Sequence, residues 1–178
     1  MEINEQILFE IISENVQKLN CELEIVNETG IFFAPELFIA FLLGKEITKN
    51  QELIFNNNNI IWDREIDLGN GGPSDIVLYQ LINNERKLGA VFEFKLRDTI
   101  DAYKADIEKL LRLERPGLNK YFCVLLDSFT ESNDDRLVKL EKEYKENLKR
   151  IGQTSFCTKQ NWYKSQVYCV LNLYEVLN

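Results

Sequence analysis

The sequence predicts an α/β fold with a central mixed β-sheet flanked by helices. Apolar runs with strand character alternate along the chain with segments of helical periodicity. The chain has 178 residues, of which 45% are hydrophobic, and no Pro-, Gly- or Ser-rich linker divides it. This length and composition are those of one globular domain with a substantial core, so we expect a single domain over residues 1–178.

Two helices are predicted at the start of the chain. Residues 4–20 carry apolar side chains at helical spacing, which predicts an amphipathic helix followed by a linker to residue 29. Residues 35–43 are nearly all apolar and begin with Pro35 and Glu36. Proline and an acidic residue are ordinary at a helix N-terminus, so Glu36 has either this structural role or a role in a site.

Three strands are predicted in the middle of the chain. Each is an apolar run bounded by turn residues: 59–68, 75–82 and 87–96. A Gly-rich turn joins the first run to the second, and a polar connection with two asparagines joins the second to the third, as in a hairpin. If the hairpin folds symmetrically about Asn84, Asp75 lies opposite Glu93 and Pro73 lies opposite Lys95.

Three charged residues stand within this apolar hairpin: Asp75, Glu93 and Lys95. Side chains alternate along a strand, so Glu93 and Lys95 share one face while the intervening phenylalanines take the other. Burying a charge is costly unless it is paired or bound to a metal, and directly opposed carboxylates repel each other. The spacing indicates a metal site, although an exposed edge with a surface Glu–Lys pair gives the same pattern.

The rest of the chain predicts further helices and strands. A helix, a buried strand and a C-terminal strand are expected at 99–113, 121–127 and 166–177. Ser132 or Asn133 is the predicted N-cap of a long helix that ends at Gly152. Its buried stripe is predicted to contain Leu137, Leu140, Tyr144, Leu148 and Ile151.

The residue inventory excludes several kinds of hydrolase. The chain has no histidine, and its four cysteines form no C-x-x-C pair, which argues against a structural zinc site. Hydrolases of the Ser–His or Cys–His type are excluded as well. Cys123 and Cys169 lie in apolar runs and are expected to be small core residues. A metal site built from carboxylates and a lysine is among the few hydrolytic designs that remain.

The segments Pro73 to Asp75 and Glu93 to Lys95 resemble the two halves of the PD-(D/E)xK nuclease motif. That superfamily includes restriction endonucleases, Holliday-junction resolvases and DNA-repair nucleases. The resemblance covers residues 30–127 and implies a restriction-endonuclease-like core in the order helix, three strands, helix and strand. Residues 128–178 add a C-terminal helix and strand. Serine rather than proline directly precedes Asp75, a departure that the superfamily tolerates.

The resemblance implies a nuclease that depends on Mg²⁺ or Mn²⁺. Asp75, Glu93 and the backbone carbonyl of Phe94 would then be metal ligands, because hard cations prefer oxygen. Lys95 would lie beside the attacking water and stabilise charge on the phosphate. Glu36 would complete a second metal position or hold a metal-bound water. The implied catalytic residues are therefore Glu36, Asp75, Glu93 and Lys95.

Three further residues on the helix after the motif are weaker candidates. Lys104, Asp106 and Lys109 are predicted to lie near the mouth of the site, where the lysines would reach substrate phosphates.

The net charge of the chain limits the possible binding partners. A net charge of −8 and a pI of about 4.8 are the reverse of the basic footprint expected of an independent DNA-binding protein. We expect weak intrinsic affinity for nucleic acid, with DNA the expected form, a local basic strip, or delivery by a partner protein; a homodimer is compatible. The alternative is a non-catalytic protein of the same fold, acting as a binding subunit or as an acidic inhibitor or immunity-type partner.

The expected compartment is the cytoplasm, with no membrane contact. The apolar stretch 31–43 is interrupted and too short to span a bilayer. The first residues also lack the basic segment of a signal peptide.

Overall fold

One six-stranded mixed sheet with helices on both faces forms the protein in the computed structural model, which describes residues 1–131 and 134–178. The helices are α1 (Glu5–Asn27), α2 (Glu36–Lys49), α3 (Gln51–Phe55), α4 (Ile100–Leu111) and α5 (Asp135–Glu143), with a 3₁₀ turn at Ile31–Phe33. The strands are β1 (Ile60–Asp67), β2 (Pro73–Ile82), β3 (Glu85–Leu96), β4 (Asn119–Ser128), β5 (Leu148–Thr158) and β6 (Val167–Val176). The predicted α/β class with a mixed sheet is confirmed.

The sheet has the strand order β1-β2-β3-β4-β6-β5. Only β3 and β4 are parallel, joined by the crossover helix α4, and all other neighbours are antiparallel. The carboxyl ends of β3 and β4 therefore lie at the same edge of the sheet. This edge is where the charged residues of the motif segments are found.

Both faces of the central strands are buried, which explains why β3 and β4 are nearly continuous apolar runs. Phe92 and Phe94 of β3 belong to the core beneath α1 and α2. Val91 of β3 and Phe122 of β4 belong to a second core beneath α4 and α5. Alternation along β3 therefore directs Glu93 and Lys95 to one face, as predicted, and in the structure this face is the α4 side.

The β2–β3 hairpin turns on two asparagines rather than one. Asn83 and Asn84 have φ of 53° and 66°, a left-handed conformation that asparagine tolerates in tight hairpin turns. Pairing beside the turn is consequently one residue out of the predicted register. A bulge that leaves Gly89 unpaired restores it, and Ile76 faces Phe92 as predicted.

The prediction of a long helix that ends at Gly152 is wrong. The helix α5 ends at Glu143, and the chain then turns into β5, which pairs with β6 at the edge of the sheet. Leu148 and Ile151, which the helical stripe included, lie on this strand. Gly152 is not a helix cap: a Cβ there would lie 2.5 Å from the Phe9 ring of α1. Packing against α1 and pairing with β6 outweigh the local helical pattern.

The helix starts also refine the predictions. The predicted caps Ser132 and Asn133 lie outside the described residues, and the Asp134 side chain accepts a hydrogen bond from the Arg136 amide at the start of α5. Asn4 caps α1, which continues seven residues past the predicted end at residue 20.

Within the described residues, no helix combines the length and the apolar character needed to cross a bilayer.

Candidate functional site

Four elements bring charged side chains together at the carboxyl end of β3. The group, termed the β3 cluster, contains four carboxylates and two lysines: Glu36, Asp75, Glu93, Lys95, Asp106 and Lys109. The four residues predicted as catalytic in the sequence analysis are all present in it. Of the three weaker candidates on α4, Asp106 and Lys109 belong to the cluster, while Lys104 pairs with Glu143 of α5 at 2.5 Å.

Asp75 takes its place because β2 and β3 separate there. Their pairing ends where Ile76 faces Phe92, one residue before Asp75 would face Glu93. The Asp75 carboxylate fills the gap and accepts a hydrogen bond from the Phe94 amide at 2.6 Å. The amide and carbonyl of one strand residue point to the same neighbouring strand, so the Phe94 carbonyl also faces the Asp75 side. Pro73 does not meet Lys95; its carbonyl accepts instead from Lys109.

Glu93 is a buried carboxylate with half of its hydrogen-bonding capacity unused. Its side chain is 2% exposed, and Oε2 lies 2.6 Å from Lys109 Nζ. Oε1 makes no hydrogen bond of ordinary geometry to any described residue. Burial, reinforced by the charge of Asp75 and only partly offset by Lys109, raises the pKa of Glu93 to about 8. The nearby Ser74 hydroxyl also lowers this pKa without forming a well-aligned hydrogen bond.

Asp75 shares this excess of negative charge. Burial raises the pKa of Asp75 to about 6, against the opposing effect of the hydrogen bond from Phe94, and the Glu36 carboxylate raises it further. Two neighbouring carboxyl groups thus have pKa values near or above neutrality. Their ionised forms lack sufficient positive charge around them, which is the environment that a bound cation completes.

Lys95 connects helices from opposite faces of the sheet. Its Nζ lies 3.4 Å from Glu36 Oε1 on α2 and 3.2 Å from Asp106 Oδ2 on α4. The second oxygen of Glu36 accepts a hydrogen bond from the Leu96 amide at 2.7 Å. Burial alone would lower the pKa of Lys95, but Asp106 and Glu36 outweigh it and raise the pKa above its ordinary value. As placed, Lys95 is a protonated hydrogen-bond donor.

The donor chemistry of the cluster fits a hard divalent cation. Carboxylates and a backbone carbonyl are the ligands such cations prefer, and Glu93 Oε1 is free to accept. With the side chains as they stand, no three acidic residues in the described part of the chain are arranged to surround a metal ion. Lys109 now provides the positive charge beside Glu93, so binding there requires its ammonium group to move away.

Residues that the sequence interpretation did not include lie beside the cluster. They form an exposed group with aromatic and cationic side chains, termed the aromatic platform: Phe33, Arg97, Phe129, Trp162 and Tyr163. The sequence signal for this group was the pair Trp162 and Tyr163, two aromatic residues in a polar segment. The sequence did not indicate that Trp162 would contact Phe33 and Arg97, which are distant along the chain.

The site combines an unmatched pair of carboxylates with a protonated lysine and a backbone carbonyl that faces the Asp75 side. Such an arrangement is able to bind a cation and to stabilise an anion next to it. No protein-family model, curated protein or solved structure matches the chain, so the function is inferred from the chemistry of the site.

Proposed function

We propose that the protein is a metal-dependent nuclease with a restriction-endonuclease-like core, hydrolysing phosphodiester bonds of nucleic acid, with DNA the expected substrate. The supporting observation is the pair of half-buried Asp75 and buried Glu93, both with raised pKa, at the end of a central strand beside Lys95. Keeping unmatched carboxylates buried lowers stability. A role in binding a cation accounts for them, whereas a purely structural role does not.

Four residues of the cluster have distinct parts in this proposal. Asp75, Glu93 and the Phe94 carbonyl would hold Mg²⁺ or Mn²⁺, which would supply Lewis acidity and activate a water. Lys95 donates hydrogen bonds to the phosphate oxygens as negative charge develops on them. Glu36 orients Lys95 and fixes the end of β3 through the Leu96 amide; a shift of its side chain would offer a second metal position.

A non-catalytic binding protein is the second candidate. The lysines at the cluster already pair with its carboxylates, Lys109 with Glu93 at 2.6 Å and Lys95 with Asp106 at 3.2 Å. These pairs allow the fold to exist without a metal. The net charge of −8 also suits an acidic inhibitor, an immunity-type partner or a subunit, and any substrate would then be delivered by another protein.

Cleavage of supercoiled plasmid and single-stranded DNA in Mg²⁺ and in Mn²⁺ tests the proposal. We expect metal-dependent cutting that falls at least about 1000-fold in Glu93→Gln, since a ligand of the catalytic ion is lost. Glu141→Gln is the matched control, because it neutralises a hydrogen-bonded carboxylate on α5 outside the cluster.

The metal's effect on thermal stability separates the two candidates. A ligand that binds only the folded state raises the melting temperature by mass action. Absence of both cutting and metal-induced stabilisation would reject the nuclease and leave the binding protein. Stabilisation without cutting of either DNA would keep the metal site and reject nuclease activity on these substrates.

A further inference from the structure

The aromatic platform contains two ring contacts and one cation–π contact. Phe33 and Trp162 stack with ring centroids 4.8 Å apart and planes within 8°. The guanidinium carbon of Arg97 lies 4.0 Å from the Trp162 ring centroid. Phe129 meets Tyr163 edge to face at 5.2 Å. Trp162 and Tyr163 are consecutive, and Arg97 and Tyr163 both lie at Asp127, so the two groups of rings lie next to each other.

These rings remain unusually open to solvent for such large apolar groups. The exposed fractions are 42% for Phe33, 61% for Phe129, 46% for Trp162 and 42% for Tyr163. Single exposed apolar side chains are common, but a contiguous cluster of them marks a binding surface. Packing among the rings orders this surface before a ligand arrives. Phe33 and Arg97 both lie against the Trp162 ring, so a base that stacks on Trp162 takes the place of one of these two side chains.

The platform lies next to the β3 cluster. Arg97 follows Lys95 by two residues and Phe33 precedes Glu36 by three. Consecutive Cα atoms are about 3.8 Å apart, so these Cα pairs are separated by no more than roughly 8 and 11 Å. A chain held at the cluster by one phosphate would therefore place its adjoining nucleotides over the platform.

The chemistry of the platform suits unpaired bases. Base stacking on an aromatic side chain contributes about 1–3 kcal/mol per base and does not require a particular sequence. A guanidinium plane also stacks on bases and pairs with phosphates. Asp127 lies 4.0 Å from Arg97 Nε and 3.2 Å from the Tyr163 hydroxyl, but Arg136 balances its charge.

Stacking also explains how a protein with an unfavourable net charge could bind nucleic acid. Binding that depends on phosphate neutralisation needs a broad basic surface, which a protein of net charge −8 does not provide. Among the described residues, the exposed cations close to the platform in sequence include Arg97 and the two lysines that flank Trp162, namely Lys159 and Lys164. Base stacking supplies free energy that does not depend on net charge.

We infer that the aromatic platform binds unpaired nucleobases, which makes single-stranded or locally unpaired nucleic acid the substrate class of the β3 cluster. This inference rests on the proposed nuclease function. A duplex keeps its bases stacked within the helix and offers the rings nothing to stack on, so blunt duplex should bind weakly.

Binding of a fluorescently labelled oligothymidylate of about 12 nucleotides, in EDTA to prevent cleavage, tests the inference. We expect Trp162→Leu to weaken binding roughly tenfold, with Phe33→Leu acting in the same direction. Phe41→Leu is the matched control, since Phe41 is also 46% exposed but packs edge-on against Trp62 of β1. Blunt duplex of equal length should bind less well than the single strand.

A second experiment measures the fluorescence of Trp162 without substituting any residue of the platform. The chain has two tryptophans, so Trp62→Phe makes Trp162 the single tryptophan reporter. Stacked thymine should quench its fluorescence as the oligonucleotide is added, and the affinity should fall only gently with salt, with a slope of log affinity on log salt no steeper than about −2 for three cations.

Three results would overturn the inference: no binding of the oligonucleotide, binding that Trp162→Leu leaves unchanged, or no quenching of Trp162 on binding. Circular dichroism and melting temperature establish that each variant is folded, and the quenching experiment stands even if Trp162→Leu does not fold. Because binding is measured without metal, its failure is distinct from a failure of cleavage. Plasmid cutting would remain if the platform were wrong, and quenching would remain if the nuclease were wrong.

Discussion

Two charged clusters lie at the same edge of the sheet, but their carboxylates are held in opposite ways. The β3 cluster contains Asp75 and Glu93, whose pKa values are raised to about 6 and about 8. At the end of β4, a second group, termed the β4 cluster, consists of Asp127, Asp134 and Arg136. There, hydrogen bonds from Arg136 outweigh burial and hold the pKa of Asp134 below its ordinary value.

Hydrogen-bond geometry explains the difference. Arg136 donates to both carboxylate oxygens of Asp134, at 2.9 and 2.8 Å, and to the Asp127 backbone carbonyl at 2.5 Å. A planar guanidinium satisfies several acceptors at once, whereas Lys109 satisfies one oxygen of Glu93 and leaves the other without a partner. The β4 cluster is therefore complete as a structural ion pair, and the β3 cluster requires a further cation.

The largest expected contrast is in the pH dependence of stability without metal. Glu93 and Asp75 have folded-state pKa values above their ordinary values of 4.5 and 3.8, so the folded state binds more protons than the unfolded state. Stability should fall as pH rises, through both groups between about 4.5 and 6 and through Glu93 alone up to about 8. Each group contributes about 1.4 kcal/mol per pH unit across its own range.

Urea unfolding in EDTA at several pH values measures this slope. Glu93→Gln should remove the decline between pH 6 and 8, whereas Asp134→Asn in the β4 cluster should leave it in place. Saturating Mg²⁺ should reduce the decline, because a bound cation favours the ionised carboxylates. A free energy of unfolding that is flat or rising over this range would contradict the raised pKa of Glu93.

A smaller contrast is expected when one partner is removed from each cluster. Arg136→Met removes the guanidinium from Asp127 and Asp134, which keep the Tyr163 hydroxyl and the residue 136 amide as donors, and should lower the free energy of unfolding by about 2 kcal/mol. Glu93→Gln removes a destabilising charge and should raise it at pH 8 in EDTA. Equal destabilisation by both substitutions, measured by urea unfolding, would mean that the two clusters are alike.

The smallest expected effect concerns Lys109 as a competitor of the metal. Lys109→Gln removes the ammonium group beside Glu93, so we expect Mg²⁺ to bind roughly tenfold more tightly, equivalent to about 1.4 kcal/mol, and the metal-free protein to be less stable. Lys104→Gln is the control on the same helix, because Lys104 pairs with Glu143 instead. Thermal shift over a Mg²⁺ titration measures both, and equal affinities in the two variants would exclude competition.

Local sequence patterns were sufficient to predict the two strands of the hairpin and the charged residues within it. Period-two alternation is a local property, so it correctly assigned Glu93 and Lys95 to one face of β3 and Phe92 and Phe94 to the other. The predicted strand register is also right near the site. It is wrong by one residue beside the two-asparagine turn, and the bulge at Gly89 makes up this difference. The α/β class followed from the same local patterns.

The tertiary structure alone decided which side chains meet. Asp106 and Lys109 join the cluster because α4 packs over β3, and Glu36 joins it because α2 on the other face begins at the end of that strand. The same holds for β5, whose pairing with β6 overrode a helical pattern. It also holds for the platform, whose rings come from three segments that are distant in sequence. Periodicity fixes the face of an element on which a residue lies; burial of that face against a distant element fixes what it contacts.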